Sequence, residues 1–424
     1  MTVTTAPVEQ PLCLRRPSLR PWCLRARVAR PIISSVVRRA GVRVTLPDGS
    51  VLGGTTGQDA PTLRVLRPTA FFERMGHQPK IGLGEGYMAG DWDAAPGTDL
   101  ADALVPFAQR LVSLVPPTLL RMRGVVDRRI PTATRNTLTG SRRNIEVHYD
   151  LGNALFEAFL DDTLSYSSAL FDHTRPLADQ TLTEAQSAKI EAVLDAADVA
   201  AGRRVLEIGT GWGSLAIAAA RRGAAVTSIT LSQEQAALAR QRIAAADVAE
   251  PGLAERVEIR VQDYREVTGS FDAVVSVEMI EAVGEEHWPT YFRAIDALLA
   301  PGGVAALQAI LMPHERYLAT RRSYGWIQKH IFPGGLIPST RAIEETLAQH
   351  TSLRVTAAHH FGRDYAETLR RWRQSFGRDW PTIAAAGFDE TFRRKWEFYL
   401  AYSEAGFAAD YLDVAQIRLE GASA

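Results

Sequence analysis

Arg204-Val205-Leu206-Glu207-Ile208-Gly209-Thr210-Gly211-Trp212-Gly213-Ser214 runs from an apolar strand through a carboxylate into three alternating glycines. This is how a strand-to-helix turn holds a nucleotide-like cofactor. Gly209, Gly211 and Gly213 let the backbone turn tightly and approach a ligand, Glu207 closes the strand, and a helix starting near Ser214 offers free N–H groups. The pattern suggests S-adenosylmethionine. A dinucleotide is the rival reading, but it wants an acidic residue after the next strand. Here that strand, residues 225–230, runs into Thr230-Leu231-Ser232-Gln233. A purely structural glycine turn is the third reading.

Outward from this stretch, apolar runs alternate with helical periodicity. Helices are expected over 184–197, 214–221, 232–244, 285–299 and 340–348, and further helices across 364–408. Strands are expected over 203–208, 225–229, 256–261, 271–276, 304–311, 353–359 and near 413–418. Such alternation predicts an α/β fold with a parallel sheet and helices on both faces. Taken with the S-adenosylmethionine reading of the glycine turn, the expected fold is a Rossmann-like class I methyltransferase with a mainly parallel seven-stranded sheet. Ligands of such sheets bind beyond the carboxyl ends of the strands, where Glu207, Thr230, Asp263 and Glu278 to Glu281 all fall.

The remaining chain divides by composition. Residues 41–120 read as a small α+β domain, with Val42, Val44 and Leu46 alternating before the turn Pro47-Asp48-Gly49. A glycine-rich passage covers 81–92 and a helix roughly 98–113. Residues 121–143 read as a basic linker and 144–424 as the catalytic domain. Residues 1–40 form a basic segment. Between 10 and 47 there are nine arginines and no acidic residue, among them Arg15, Arg16, Arg20, Arg25, Arg27 and Arg30, interspersed with apolar residues. That pattern suits an anionic lipid surface, with a solvated basic tail as its plain alternative.

No run of about 18 apolar residues is free of charge, so no transmembrane span is expected. The only cysteines, Cys13 and Cys23, exclude a disulfide scaffold, a zinc cluster and a catalytic cysteine in the main domain, and fit a reducing cytoplasm. No metal is expected. Nor is nucleic acid, because no recognition motif or basic groove signature accompanies the catalytic region.

Several side chains could carry chemistry. Asp263 could accept from an adenine amino group while the Tyr264 ring flanks the base, or it could simply cap the next turn. Gln235, on the helix after Thr230-Leu231-Ser232, is placed for ribose hydroxyls or is an ordinary helix glutamine. Glu278 and Glu281, three apart, would share one face of a helical start, and Glu281 is the favoured site residue. The aromatics and hydroxyls of Phe156, Phe159, Leu164, Tyr166, Ser167 and Ser168 could form a lid over an apolar tunnel or be plain packing, and Trp326 to Gly335 reads as a further ordered loop.

Five separated signatures resemble the cyclopropane-fatty-acyl-phospholipid synthase family, which includes mycolic acid methyltransferases and enzymes making 10-methylene and 10-methyl branches. They are Asn144-Ile145 with His148-Tyr149-Asp150 and Asn153; Leu206 to Gly213; Ile229 to Gln235; Ser276 to Glu281 with Val283-Gly284; and Ile331 to Gly335. The resemblance covers roughly 140–410, and 41–115 looks like the extra N-terminal domain of longer members. It implies S-adenosylmethionine held by Tyr149, Tyr166, Glu207, Gly209, Gly211, Gly213, Thr230, Leu231, Gln235, Asp263 and Tyr264. It also implies methyl transfer to the cis double bond of a phospholipid acyl chain, and a bicarbonate, held near Glu281 and Tyr365, that takes a proton.

The chain departs from the family pattern at that site. Ser168 replaces a cysteine, Ala282 a histidine, and Gln308 a further histidine. Loss of a titratable partner puts bicarbonate and ring closure in question, so the expected product is a 10-methylene chain, with Glu146 as proton acceptor. The alternatives are a cyclopropane synthase or an inactive lipid-binding homologue. The implied partners are an anionic membrane carrying unsaturated acyl chains, at whose inner face the protein would be peripheral, and a separate flavin- and NADPH-dependent reductase. A homo-oligomer is compatible with the sequence.

Overall fold

The computed structural model describes residues 24–54, 60–110 and 152–421. Its contacts divide the chain into two compact units, residues 1–99 and 100–424. The helix Leu100–Gln109 groups with the larger unit, where it packs against the helix Glu390–Ala408, although the sequence assigned it to the 41–120 domain.

In the smaller unit, strands β1 (Arg43–Thr45), β2 (Val51–Gly53), β3 (Thr62–Val65) and β4 (Trp92–Ala94) form one sheet in the order β2-β1-β3-β4. The expected hairpin at Pro47-Asp48-Gly49 joins β1 to β2, with Asp48 accepting from the Ser50 N–H at 2.9 Å and Gly49 at φ +79°. The glycine-rich passage is not a loop but the body of a helix, Pro79–Met88. Its glycines are contact points: a Cβ on Gly82 would lie 2.6 Å from the Arg74 carbonyl of the helix Pro68–His77. Close helix packing thus overrides the poor helix propensity of glycine.

The larger unit holds β5 (Arg204–Ile208), β6 (Ala225–Thr230), β7 (Val257–Val261), β8 (Phe271–Val277), β9 (Leu299–Leu311), β10 (Leu353–His360) and β11 (Asp413–Gly421). They form one sheet in the order β10-β11-β9-β8-β5-β6-β7. Only β11 is antiparallel to its neighbours. The expected seven-stranded, mainly parallel sheet is therefore present. Alternate residues of β5 and β8 feed two cores. Val205, Ala273 and Val275 pack against the helices Leu182–Ala196, Ser214–Arg221 and Gln233–Ala249, while Leu206, Ile208 and Val274 meet the helices Trp288–Leu298 and Thr340–His350.

Polar caps fix where these helices begin. Thr181 and Glu184 close a capping box on the helix Leu182–Ala196, and the Ser232 hydroxyl accepts from the Gln235 N–H at 3.2 Å. The chain leaves β5 toward β6 on one side, while β8 pairs on the other. This reversal is the point at which an open α/β sheet exposes a crevice beyond its strand ends.

Candidate active site

A cavity opens at that reversal. The glycine loop, the ends of β6 and β8, and Asp263, Tyr264 and Arg265 after β7 line it. Gly209, Gly211 and Gly213 have φ of +101°, +51° and +90°, conformations that a side chain disfavours. At Gly213, which precedes the helix Ser214–Arg221, a Cβ would also press on Ala239 at 3.2 Å. The loop is braced from outside by Arg242, whose guanidinium donates to the Trp212 carbonyl at 2.9 Å and the Thr163 carbonyl at 3.0 Å. The Trp212 indole N–H donates to Asn153 at 2.9 Å. Nothing in the local sequence marks Arg242 for this task.

Most residues expected to hold the cofactor come together here. Tyr166, Glu207, Gly209, Gly211, Thr230, Leu231, Gln235, Asp263 and Tyr264 all line the cavity. Tyr149 and Glu146 lie outside the described residues. The Thr230 hydroxyl donates to Gln235 Oε1 at 2.9 Å, which fixes the buried glutamine at the mouth of β6. Asp263 does cap the turn Tyr264–Glu266, and Arg265 clamps both its oxygens at 2.7 and 2.6 Å, so any adenine contact shares that carboxylate with the guanidinium. The Tyr264 ring lies under the same guanidinium and edge-on to Tyr291. Phe156 and Phe159 do not form a lid. They are fully buried against Tyr166, Trp372 and Trp396. The segment Trp326 to Gly335 is a loop only in its second half: it opens with the short helix Trp326–His330, and residues 331–335 follow as a turn.

A buried polar cluster adjoins the cavity, and its centre is Glu278. Glu278 and Glu281 do not share a helix face. Glu278 precedes the helix Ile280–Val283 in a left-handed conformation, φ +51°, with its N–H donating to the Gln308 carbonyl at 2.7 Å. Its Oε1 accepts from the Ser168 N–H and from Gln308 Nε2, both at 2.8 Å, and its Oε2 accepts from the Tyr365 hydroxyl at 2.7 Å. The Tyr365 hydroxyl thus reaches Glu278 rather than Glu281. Ser168 contributes its backbone, since its hydroxyl donates to the Ala169 carbonyl at 3.0 Å. Sheet register explains the convergence: Val277 pairs with Gln308 and Gln308 with Gln416, whose amide donates to Gln308 Oε1 at 3.2 Å. Among these residues Glu278 lines the cavity, while Glu281, Gln308, Ser168 and Tyr365 do not.

Two further buried charges complete the cluster. Lys189, on the inward face of the helix Leu182–Ala196, donates to the Ser167 hydroxyl at 2.8 Å. Burial pulls its pKa down to about 8, against the attraction of Glu278 and Glu207. Burial pushes Glu207 up to about 8, although Ser228 and Lys189 favour its charged form. The sequence reading passed over Lys189. The available signal was its position, because Gln186 and Lys189 interrupt the apolar stripe Ala185, Ile190, Val193 and Leu194.

Burial, and then repulsion from Glu278, push Glu281 up to about 8 as well. Its Oε1 accepts from the Ile310 N–H, and its buried Oε2 has no hydrogen-bond partner in the structure, which suits a neutral carboxyl. A raised folded pKa means that the stability Glu281 contributes is full below the ordinary value of 4.5 and is lost as pH rises through about 8. Glu281→Gln should therefore gain stability relative to the parent by about 1–3 kcal/mol on going from acid to mildly alkaline pH. Urea unfolding on either side of that window checks the sign, and a pH-independent difference would contradict it.

Residues 136–417 match the mycolic acid cyclopropane synthetase family. The chain belongs to this family. Over 396 residues it is 49% identical to the tuberculostearic acid methyltransferase UfaA1 of Mycobacterium tuberculosis, covering 92% of this chain and 90% of that one. Over 392 residues it is 32% identical to the cyclopropane-fatty-acyl-phospholipid synthase of Escherichia coli, covering 91% and 92%. Among solved structures it is similar to the mycolic acid cyclopropane synthase CmaA1 complexed with SAH and CTAB, at 27% identity and a TM-score of 0.59, over 66% of this chain and 97% of that one. Coclaurine N-methyltransferase, at 16% identity, covers 80% of this chain and 98% of its own with a TM-score of 0.60, and shares the fold alone. The family match embraces the sheet, the glycine loop and the Glu278 cluster.

Proposed function

We propose that this protein is an S-adenosylmethionine-dependent C-methyltransferase acting on the cis double bond of a phospholipid-bound, oleoyl-like acyl chain to give a 10-methylene product. The observation that carries the reading is the cavity at the strand-order reversal, where the left-handed Gly209 and Gly211 converge with Thr230, Gln235 and Asp263. These groups fit the cofactor: side-chain-free backbone for close approach, amide and hydroxyl groups for a ribose, and a carboxylate with an adjoining ring for an adenine. S-adenosylmethionine supplies an electrophilic methyl group. The family relation to enzymes named for tuberculostearic acid and cyclopropane fatty acids supports a lipid alkene as the acceptor.

An alkene is a weak nucleophile, so rate must come from alignment and from stabilising positive charge where water is excluded. Tyr166 lines the cavity and packs on the buried Trp372, which meets Tyr365 edge-on beside Glu278, so this side of the site is aromatic and buried. Gln308 cannot titrate, which favours deprotonation by another group and supports the methylene product over ring closure. Such a product would require a separate flavin- and NADPH-dependent reductase to reach a methyl branch.

Among the described residues no helix is long and apolar enough to cross a membrane. The helix Leu24–Ala40 exposes Arg27, Val28, Ile32, Arg38 and Arg39 along one side, which supports peripheral binding to an anionic inner membrane surface from the cytoplasm.

The test is to incubate the purified protein with methyl-labelled S-adenosylmethionine and oleoyl phospholipid vesicles without a reductase, and to analyse the fatty acids by mass spectrometry. A labelled acyl chain with one added carbon that takes up hydrogen under mild catalysis is expected. A labelled chain resistant to hydrogenation would make the enzyme a cyclopropane synthase. Lipid and cofactor binding without any labelled chain would make it an inactive homologue.

A further inference from the structure

We propose that the Glu278 carboxylate is the built-in proton acceptor of the reaction, seated in a cradle of donors that an exogenous bicarbonate would otherwise need. The inference rests on the methyl-transfer reading given above. Three donors of different kinds, from three separate segments, end on this one carboxylate: the Ser168 N–H, the Gln308 amide and the Tyr365 hydroxyl. With those donors taken by Glu278, a bicarbonate does not fit there.

The backbone carries a cost for this arrangement. At φ +51° a glycine would sit without strain, whereas a glutamate is disfavoured. Of the four residues joined in this network, Glu278 is the one that lines the cavity, with Lys189 and Glu207 lining it alongside. Oε1 is held by two donors and Oε2 by one, so Oε2 is the freer acceptor. Gln308 and Tyr365 are then positioning residues.

The proton balance closes within the acyl chain and Glu278. The alkene π pair bonds one alkene carbon to the methyl carbon as the S–CH3 bond breaks, its electron pair staying on sulfur in the departing neutral thioether, and the neighbouring carbon would be left cationic. A hydride moving from the methylated carbon to that neighbour places the cation on the branch carbon. Loss of a proton from the added methyl carbon to Oε2 leaves the C–H electron pair as the exocyclic double bond, and Glu278 returns the proton to solvent before the next turnover.

Two variants test this. Glu278→Gln is neutral and nearly isosteric, and Glu278→Gly suits the left-handed backbone while opening a carboxylate-sized hole. Turnover of labelled methyl into acyl chains should fall by about 100-fold or more in both, the scale of a lost general base. Sodium formate or bicarbonate should restore at least about tenfold to Glu278→Gly and raise its melting temperature, while leaving the parent and Glu278→Gln unchanged in both respects. Depleting bicarbonate should leave the parent rate unaltered.

Turnover within about threefold of the parent in the Gln variant would overturn the proposal. So would a bicarbonate-dependent parent rate, or a Gly variant indifferent to both anions. If the parent itself transfers no methyl, the functional reading fails instead, while the anion-dependent melting shift of Glu278→Gly still reports whether the cradle binds a carboxylate.

Discussion

Gly209→Val is expected to lower the affinity for S-adenosylmethionine by about 100-fold or more, equivalent to roughly 2.7 kcal/mol. At φ +101° a β-branched side chain is strained, and even its first carbon would lie 2.8 Å from both Cγ and Sδ of Met279. Met279 also lines the cavity, so it has to give way into the volume that the ligand would fill, while the valine methyls intrude from the loop. The damage should stay local, because the strand before Gly209 is anchored by its pairing with β6 and β8. Isothermal titration calorimetry measures the affinity, and far-ultraviolet circular dichroism reports the fold. Affinity within about threefold of the parent, with the fold intact, would show that cofactor does not approach this loop.

Lys189→Met is expected to cost more stability near pH 9 than near pH 6, by about 1–3 kcal/mol. The ammonium is buried, and its attraction favours the charged forms of Glu207 and Glu278. Methionine matches its length but supplies no charge and no hydrogen bond to Ser167. The sign follows from the carboxyls. Glu207 already binds its proton more tightly in the folded state, so its contribution is full below its ordinary value of 4.5 and fades as pH rises through about 8. Removing the cation raises the folded pKa of both carboxyls further, so the variant keeps losing stability above about pH 8, where Glu207 of the parent has ionised. Urea unfolding at the two pH values gives the difference directly. Equal losses at both would mean that Lys189 acts through packing alone.

The fold was largely legible in the order of residues. Residues 204–214 identify the glycine turn because strand, carboxylate and glycines follow one another locally, and the seven strands could be located because each apolar run is bounded by turn or cap residues such as Thr181 and Ser232. The misses occurred where packing overrode local preference. Glycine is a poor helix former, yet Gly82 sits at a helix contact, and of the two readings open for Phe156, lid or packing, the core holds the second.

The cofactor wall was equally readable, since Glu207, Thr230, Gln235 and Asp263 each stand at or just beyond a strand end. The proton-handling cluster was not. Ser168, Glu278, Gln308 and Tyr365 are separated by up to 197 positions, and spacing alone could not show that their polar groups meet. It even misled, pairing Glu278 with Glu281 on a helix face that a left-handed residue does not continue. By itself the sequence determined the α/β order, the glycine loop and the family, because these depend on patterns between near neighbours. Only the tertiary structure decided which carboxylate gathers the donors and reaches the cavity, because that depends on strand register and burial, which bring distant residues together out of water.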